Sequence, residues 1–179
     1  MIFDIFKIGV YAKELLIDNN ILIEYANTLE KNTQGNLKSN RGGFQSDDLN
    51  NDCLNELQNQ IVNHTNEYAK LINYTSCKLY NIWCNINYYK DFNVIHDHND
   101  LKISGVYYAQ TPEDCGNIVF YHPGWQIMKH NSDSNYTATT WWLPAEKGML
   151  YLFPSWLLHH VESNLNKGEK RISYSFNLI

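Results

Sequence analysis

From residue 79 onward the chain breaks into short runs of β-branched and aromatic residues separated by turn formers: "LYNIWCNINYY", "KISGVYYAQ", "GNIVFY", "TATTWWLP", "GMLYLFP" and "KRISYSFNLI". Six strand candidates with no helical pattern between them must bury their apolar faces against one another, as a sandwich or a barrel. The last run is the most regular. In "RISYSFNLI" strict alternation puts Arg171, Ser173, Ser175 and Asn177 on one face and Ile172, Tyr174, Phe176 and Leu178 on the other. If both faces are covered, the polar face becomes a pocket wall and Arg171 needs an anion there; if only one is, the polar face meets water, as is common in antiparallel sheets.

The region before residue 79 reads differently. Residues 18–31 carry Leu22, Tyr25, Ala26 and Leu29 at helical spacing behind Asp18, a good N-cap. Between Asn51 and Tyr74 a second stripe, Leu54, Leu57, Ile61, Tyr68 and Ile72, predicts a second helix. The intervening "NTQGNLKSNRGGFQSDDLNN" has no period and reads as a loop, and loops of that length tend to be functional or mobile. At 179 residues a single domain is expected: helical support and loop over 1–78, and a β core over 79–179. The segment "HPGWQIMKHNSDSNY" reads as a loop or an irregular hairpin.

Composition narrows the partners. A formal charge of −5 gives no general attraction to a phosphate backbone, so nucleic acid is not the expected partner. No apolar run approaches the roughly 20 residues of a membrane span. The N-terminal stretch lacks a basic leader and a small-residue cleavage site, which points to an intracellular location. Cys53, Cys77, Cys84 and Cys115 form no CxxC pair and read as free thiols.

The sharpest polar cluster is "HDHND", residues 96–100, at the mouth of a strand. Alternate strand residues share a face, so His96 and His98 point one way and Asp100 is aligned to join them. The other conspicuous histidines, His159 and His160 in "FPSWLLHHVESN", stand about sixty residues on, a distance that a closed β fold bridges. Neutral imidazoles and carboxylates are the ligands of divalent iron, zinc and copper. Neither cluster is specific alone.

Taken in order, "HDHND", "SGVYY", "FPSWLLHHVESN" and "RISYSFN" resemble the iron(II) and 2-oxoglutarate dependent oxygenases, over roughly residues 80–179. The likeness is to the prolyl-hydroxylase-like members, and in pattern to oxygenases of bacteria and tailed phages. The resemblance implies a double-stranded β-helix core of the jelly-roll, cupin-like kind. It implies Fe(II), 2-oxoglutarate and O2 as cofactors, and no catalytic side chain beyond the metal centre. His159 then matches the distal metal ligand in preference to His160. The proximal pair is either His96 with His98 or His98 with Asp100, and His98 belongs to both alignments. Arg171 and Ser173 match the element that binds the far carboxylate of 2-oxoglutarate, with Tyr108 as a further donor and Asn87 and Tyr89 on a strand lining the same pocket.

The implied activity is hydroxylation of a C–H bond in a protein, a peptide such as one carrying proline, or a small molecule. The loop around Arg41 to Gln45 is a candidate to close over substrate, and Trp141, Trp142, Trp125 and His122 are candidates to line its path. The implied location is the cytoplasm of a bacterium or phage-infected host cell, and a homodimer is a candidate assembly. Two rival readings stand beside it: a three-histidine dioxygenase without a keto acid, in which Arg171 grips the substrate, and a non-catalytic cupin-like binding module.

Overall fold

Asp18 opens the first helix: its carboxylate accepts the Asn20 N–H at 3.0 Å, and α1 runs over Asn19–Asn32. Leu22 and Ala26 are buried, with Tyr25 and Leu29 packed beside them. A 3-10 turn at Asp52–Leu54 leads into α2, Asn55–Leu71, which buries Leu57, Ile61 and Tyr68 on one side. Each such fully buried side chain contributes roughly 1.5–3 kcal/mol. Both helices pack against the same sheet face, so their stripes and the alternation of the strands serve one core. The computed structural model describes residues 1–179 except 2, 4, 75, 76, 99, 129–131, 133 and 135, so part of the segment around "KHNSDSN" lies outside the described residues.

Among the described residues, eleven strands form two sheets. They are β1 (Tyr11–Glu14), β2 (Asn40–Arg41), β3 (Phe44–Gln45), β4 (Leu79–Asn87), β5 (Phe92–His96), β6 (Ile103–Gln110), β7 (Asn117–Tyr121), β8 (Thr140–Pro144), β9 (Met149–Pro154), β10 (His159–Val161) and β11 (Arg171–Leu178). The larger sheet has the order β1-β9-β6-β11-β4-β3 and the smaller β2-β5-β10-β7-β8. This is the mainly β, double-stranded β-helix architecture expected from the sequence.

The larger sheet has two different faces. Outward, Ile172, Tyr174, Phe176 and Leu178 of β11 join Ile82, Cys84 and Ile86 of β4 and Tyr107 of β6 beneath the helices. Inward, Arg171, Ser173, Ser175 and Asn177 face the smaller sheet, and Arg171 is 1% exposed. The register sets rows across the strands: Asn81–Asn177–Ser104, then Trp83–Ser175–Val106, then Asn85–Ser173–Tyr108, with Asn87 opposite Arg171 at the far end.

The region expected as helix and loop contributes three strands. β1 pairs with β9, while β2 pairs with β5 of one sheet and β3 with β4 of the other. The glycine-bearing loop is therefore a strap across the open edge of the sandwich. Gly42 and Gly43 make the crossing with positive φ of 74° and 64°. A Cβ at Gly42 would collide with the Asp91 carboxylate, and one at Gly43 with the Ile86 carbonyl. Arg41 is exposed and donates to the Lys38 and Asn40 carbonyls of its own loop, so it does not face the interior.

Candidate metal centre

His96, the last residue of β5, lies directly opposite His159, the first of β10. Residues directly opposite in an antiparallel pair share a face, so both imidazoles enter the space between the sheets. His98 follows two residues past β5, where its backbone N–H donates to the Ser155 carbonyl at 2.9 Å. Ligand nitrogens of the three lie within 4.8 Å of one another, and no other such group of His, Cys, Asp or Glu occurs among the described residues. The ring centroids stand 4.3 Å (His96–His159), 5.1 Å (His96–His98) and 5.3 Å (His98–His159) apart.

Main-chain carbonyls orient two of the rings. The Nδ1 of His96 lies 2.8 Å from the Val94 carbonyl and that of His159 2.9 Å from the Leu157 carbonyl. A carbonyl only accepts, so both Nδ1 atoms carry the proton and both Nε2 atoms keep a free lone pair. Burial among Phe153, Phe120 and Trp83 favours the neutral form. It holds His98 down to about 4, His96 below its ordinary value and His159 well below it, with the neighbouring imidazoles adding to the shift for His98 and His159. Three neutral, pre-aimed imidazoles suit a divalent first-row cation.

Asp100 is not part of this group: it is exposed in the turn after His98. β5 ends at His96, so the alternation that would have carried Asp100 inward has no strand to run on. His160 takes the opposite face of β10, where its ring lies tilted against that of Tyr121, with centroids 5.5 Å apart.

The imidazoles line one end of a cavity that runs inward to Arg171, past Trp83, Asn85, Asn87, Tyr108, Ser173 and Ser175. Among the described residues, no aspartate or glutamate lines it. One guanidinium nitrogen, Nη1, donates to the Cys115 and Glu162 carbonyls. The other, Nη2, is buried with no partner, and so is the Tyr108 hydroxyl. Burial alone lowers the Arg171 pKa, against Tyr108, Cys115, Asp91 and Glu162, which raise it. Two orphaned buried donors, one of them on a buried guanidinium, have the chemistry to accept a carboxylate. A larger open groove of about 870 Å³ lies between Phe92, Pro112–Asn117 and Glu162, outside this space, and among the described residues it holds no convergent metal-ligating set.

Tyr89 stands apart from the other expected cosubstrate contacts. β4 ends at Asn87 and the chain turns through Lys90, at a φ of 71°, which leaves Tyr89 40% exposed beneath the Lys90 and Lys167 ammonium groups. Asn87, 2% exposed, does line the cavity. Trp83, Asn85 and Ser39 line it too, and sequence reasoning passed over them; the alternation back from Asn87 through Asn85 to Trp83 was the available signal. Trp141 lies opposite Phe120, whose ring is 6.1 Å from that of His159, whereas Trp142 lies opposite Val119 on the other face. Both indoles are exposed.

The site is thus a double-stranded β-helix with three inward imidazoles at one end of a cavity and a buried guanidinium at the other. The model of the family described as "Putative 2OG-Fe(II) oxygenase" matches residues 81–177, more than half of the chain, and the chain belongs to that family. The cofactors of this family are iron(II), 2-oxoglutarate and dioxygen. No curated protein matches the chain. Among solved structures it is similar to a Pseudomonas putida prolyl-4-hydroxylase, at 13% identity and TM-score 0.67 over 96% of this chain and 92% of that one. It is similar to the epimerase SnoN of nogalamycin biosynthesis, solved with Fe3+, alpha ketoglutarate and nogalamycin RO, at 14% identity and TM-score 0.68 over 96% and 79%. A third is the viral collagen prolyl hydroxylase of Paramecium bursaria Chlorella virus-1 in its 2OG complex, at 12% identity and TM-score 0.63 over 94% of each chain. At these identities the likeness is one of fold.

Proposed function

We propose that this chain is an iron(II) and 2-oxoglutarate dependent hydroxylase, prolyl-hydroxylase-like, acting on a C–H bond of a protein, a peptide or a small molecule. The observation that carries this reading is the pair of orphaned donors, Arg171 Nη2 and Tyr108 Oη, in the same cavity as the three imidazoles. A dicarboxylate would fit between the imidazoles and the guanidinium. His96, His98 and His159 would hold the metal. Arg171, Tyr108 and Ser173 seat the distal carboxylate, and the Cys115 and Glu162 carbonyls keep the guanidinium from swinging away. Bound iron(II) with 2-oxoglutarate and dioxygen supplies the oxidising chemistry, which yields succinate, carbon dioxide and a hydroxylated product.

The chain's own share is geometry and exclusion of water. Phe153, Phe120 and Trp83 form apolar walls beside the imidazoles, and the strap carrying Ser39 lines the cavity edge. Peptide hydroxylation is supported by the fold shared with prolyl hydroxylases, one of them, from Trichoplax adhaerens, solved in complex with a hypoxia inducible factor peptide fragment. The exposed Trp141, on the strand face shared with Phe120, adds an aromatic surface for such a chain. The test is succinate formation from 2-oxoglutarate in air with iron(II) and a panel of proline-bearing peptides and small molecules. Succinate made in step with an oxidised product, and lost in His159→Ala, is the expected result. Product formed with no 2-oxoglutarate consumed would instead establish the keto-acid-free dioxygenase.

A further inference from the structure

Polar side chains at one end of the larger sheet are joined by hydrogen bonds that all run in one direction. Ser104 donates to Asn177 Oδ1 at 2.7 Å, Asn177 Nδ2 to Asn81 Oδ1 at 3.0 Å, and Asn81 Nδ2 to the Asp48 carboxylate at 3.1 Å. With the Ser104 proton committed to Asn177, its 2.8 Å contact with Ser155 has Ser155 as the donor. The row thus starts at Ser155 and ends on a surface carboxylate. Ser155 is 0%, Ser104 1% and Asn177 4% exposed. Asn81, Asn177 and Ser104 are direct cross-strand partners on β4, β11 and β6, and Ser155 follows the end of β9, so the row crosses four adjacent strands.

Such a row is costly in a sandwich interior unless every member is satisfied, and here the four bonds satisfy one another in sequence. Its starting point is what gives it a function. The Ser155 carbonyl holds the His98 N–H, and Ser155 opens the turn, closed by the 2.9 Å Leu157 N–H to Pro154 carbonyl bond, that presents the Leu157 carbonyl to His159 Nδ1. Two of the three imidazoles therefore take their position from a turn that is anchored sideways by the Ser155 hydroxyl. Neither Ser104 nor Asn177 is among the residues gathered around the imidazoles, so the row acts through the turn.

We propose that Ser104, Asn177 and Ser155 are positioning residues for the metal centre: the row fixes the turn that sets His98 and His159 and so tunes how tightly and in what geometry the cation is held. This rests on the three-imidazole metal reading. Partners one step removed from the ligands change metal affinity about 10- to 100-fold when deleted.

The experiment titrates the whole chain with cobalt(II) by calorimetry and records the cobalt visible absorption spectrum. Ser104→Ala is expected to weaken cobalt binding about tenfold and to alter the spectrum, while Ser104→Thr, which keeps the hydroxyl, restores both. Ser155→Ala keeps the carbonyl that holds His98 and removes only the side-chain anchor, so it serves the same purpose should Ser104→Ala not fold. Tyr107→Phe deletes a buried hydrogen bond to Asn19 on the helix side of the sheet and is the control for general loosening. Cobalt affinity and spectrum unchanged in Ser104→Ala or Ser155→Ala, or changed as much in Tyr107→Phe, would overturn the proposal while leaving the metal centre standing. No cobalt uptake by the unaltered chain would overturn both.

Discussion

Tyr108→Phe separates a side chain built for a ligand from one built for the fold. Tyr108 is 0% exposed and its hydroxyl meets no partner, so the metal-free, ligand-free chain carries the desolvation cost of that group without return. For a hydroxyl in a protein interior that cost is about 1–3 kcal/mol. Phenylalanine keeps the ring and its edge-on contact with Tyr151, at a centroid distance of 6.1 Å. The variant is therefore expected to be more stable than the parent by about 1 kcal/mol, seen as a rise in Tm of roughly 2–4 °C for a chain of this size. Affinity for 2-oxoglutarate moves the other way, because a hydrogen bond to a carboxylate is worth about 1.5–3 kcal/mol, or roughly tenfold to a hundredfold. Tyr174→Phe is the reference: its hydroxyl donates to the Leu22 carbonyl at 2.6 Å, and its loss should cost about 1 kcal/mol. Thermal unfolding without ligand and calorimetry with manganese(II) and 2-oxoglutarate read both effects. A Tyr108→Phe chain destabilised as much as Tyr174→Phe, or one with unchanged 2-oxoglutarate affinity, would refute the reasoning.

The three imidazoles predict an acid-labile metal-free chain. Their folded pKa values lie below the ordinary value, so between pH 6.5 and about 4 the unfolded chain binds more protons; stability is full above pH 6.5 and falls as pH drops through that window. His98, at about 4, alone accounts for on the order of 3 kcal/mol across the window. Chemical unfolding at pH 7 and pH 5 measures the difference, which His98→Ala should reduce; a flat profile would contradict the burial argument. Gly43→Ala places a Cβ against the Ile86 carbonyl at a positive φ, and should cost more than about 1–2 kcal/mol in thermal unfolding. Gly168→Ala, whose Cβ would meet nothing closer than 3.7 Å, should be near neutral.

What the sequence displayed depended on how far each local rule extends. Alternation in "RISYSFNLI" assigned both faces of β11 because the strand is unbroken over eight residues and covered on both sides. The same rule failed at Tyr89 and Asp100, where it was continued past the ends of β4 and β5 into turns. The helical stripes located α1 and α2 because each buries its face against one sheet. β1 gave no such signal: only Tyr11 is even half-buried, and its pairing with β9 joins segments more than 130 residues apart. β2 and β3 are two residues each, too short for any period, and are held by partners in two different sheets. The meeting of His96 with His159 is likewise a fact of register between distant strands.

A crystal of the chain grown without oxygen and soaked with manganese(II) and 2-oxoglutarate would show the metal and the cosubstrate in place. The expected result is one ion bound by His96, His98 and His159, with the far carboxylate of the dicarboxylate on Arg171 Nη2 and the Tyr108 hydroxyl. An ion held through Asp100, or a dicarboxylate seated away from Arg171, would contradict it.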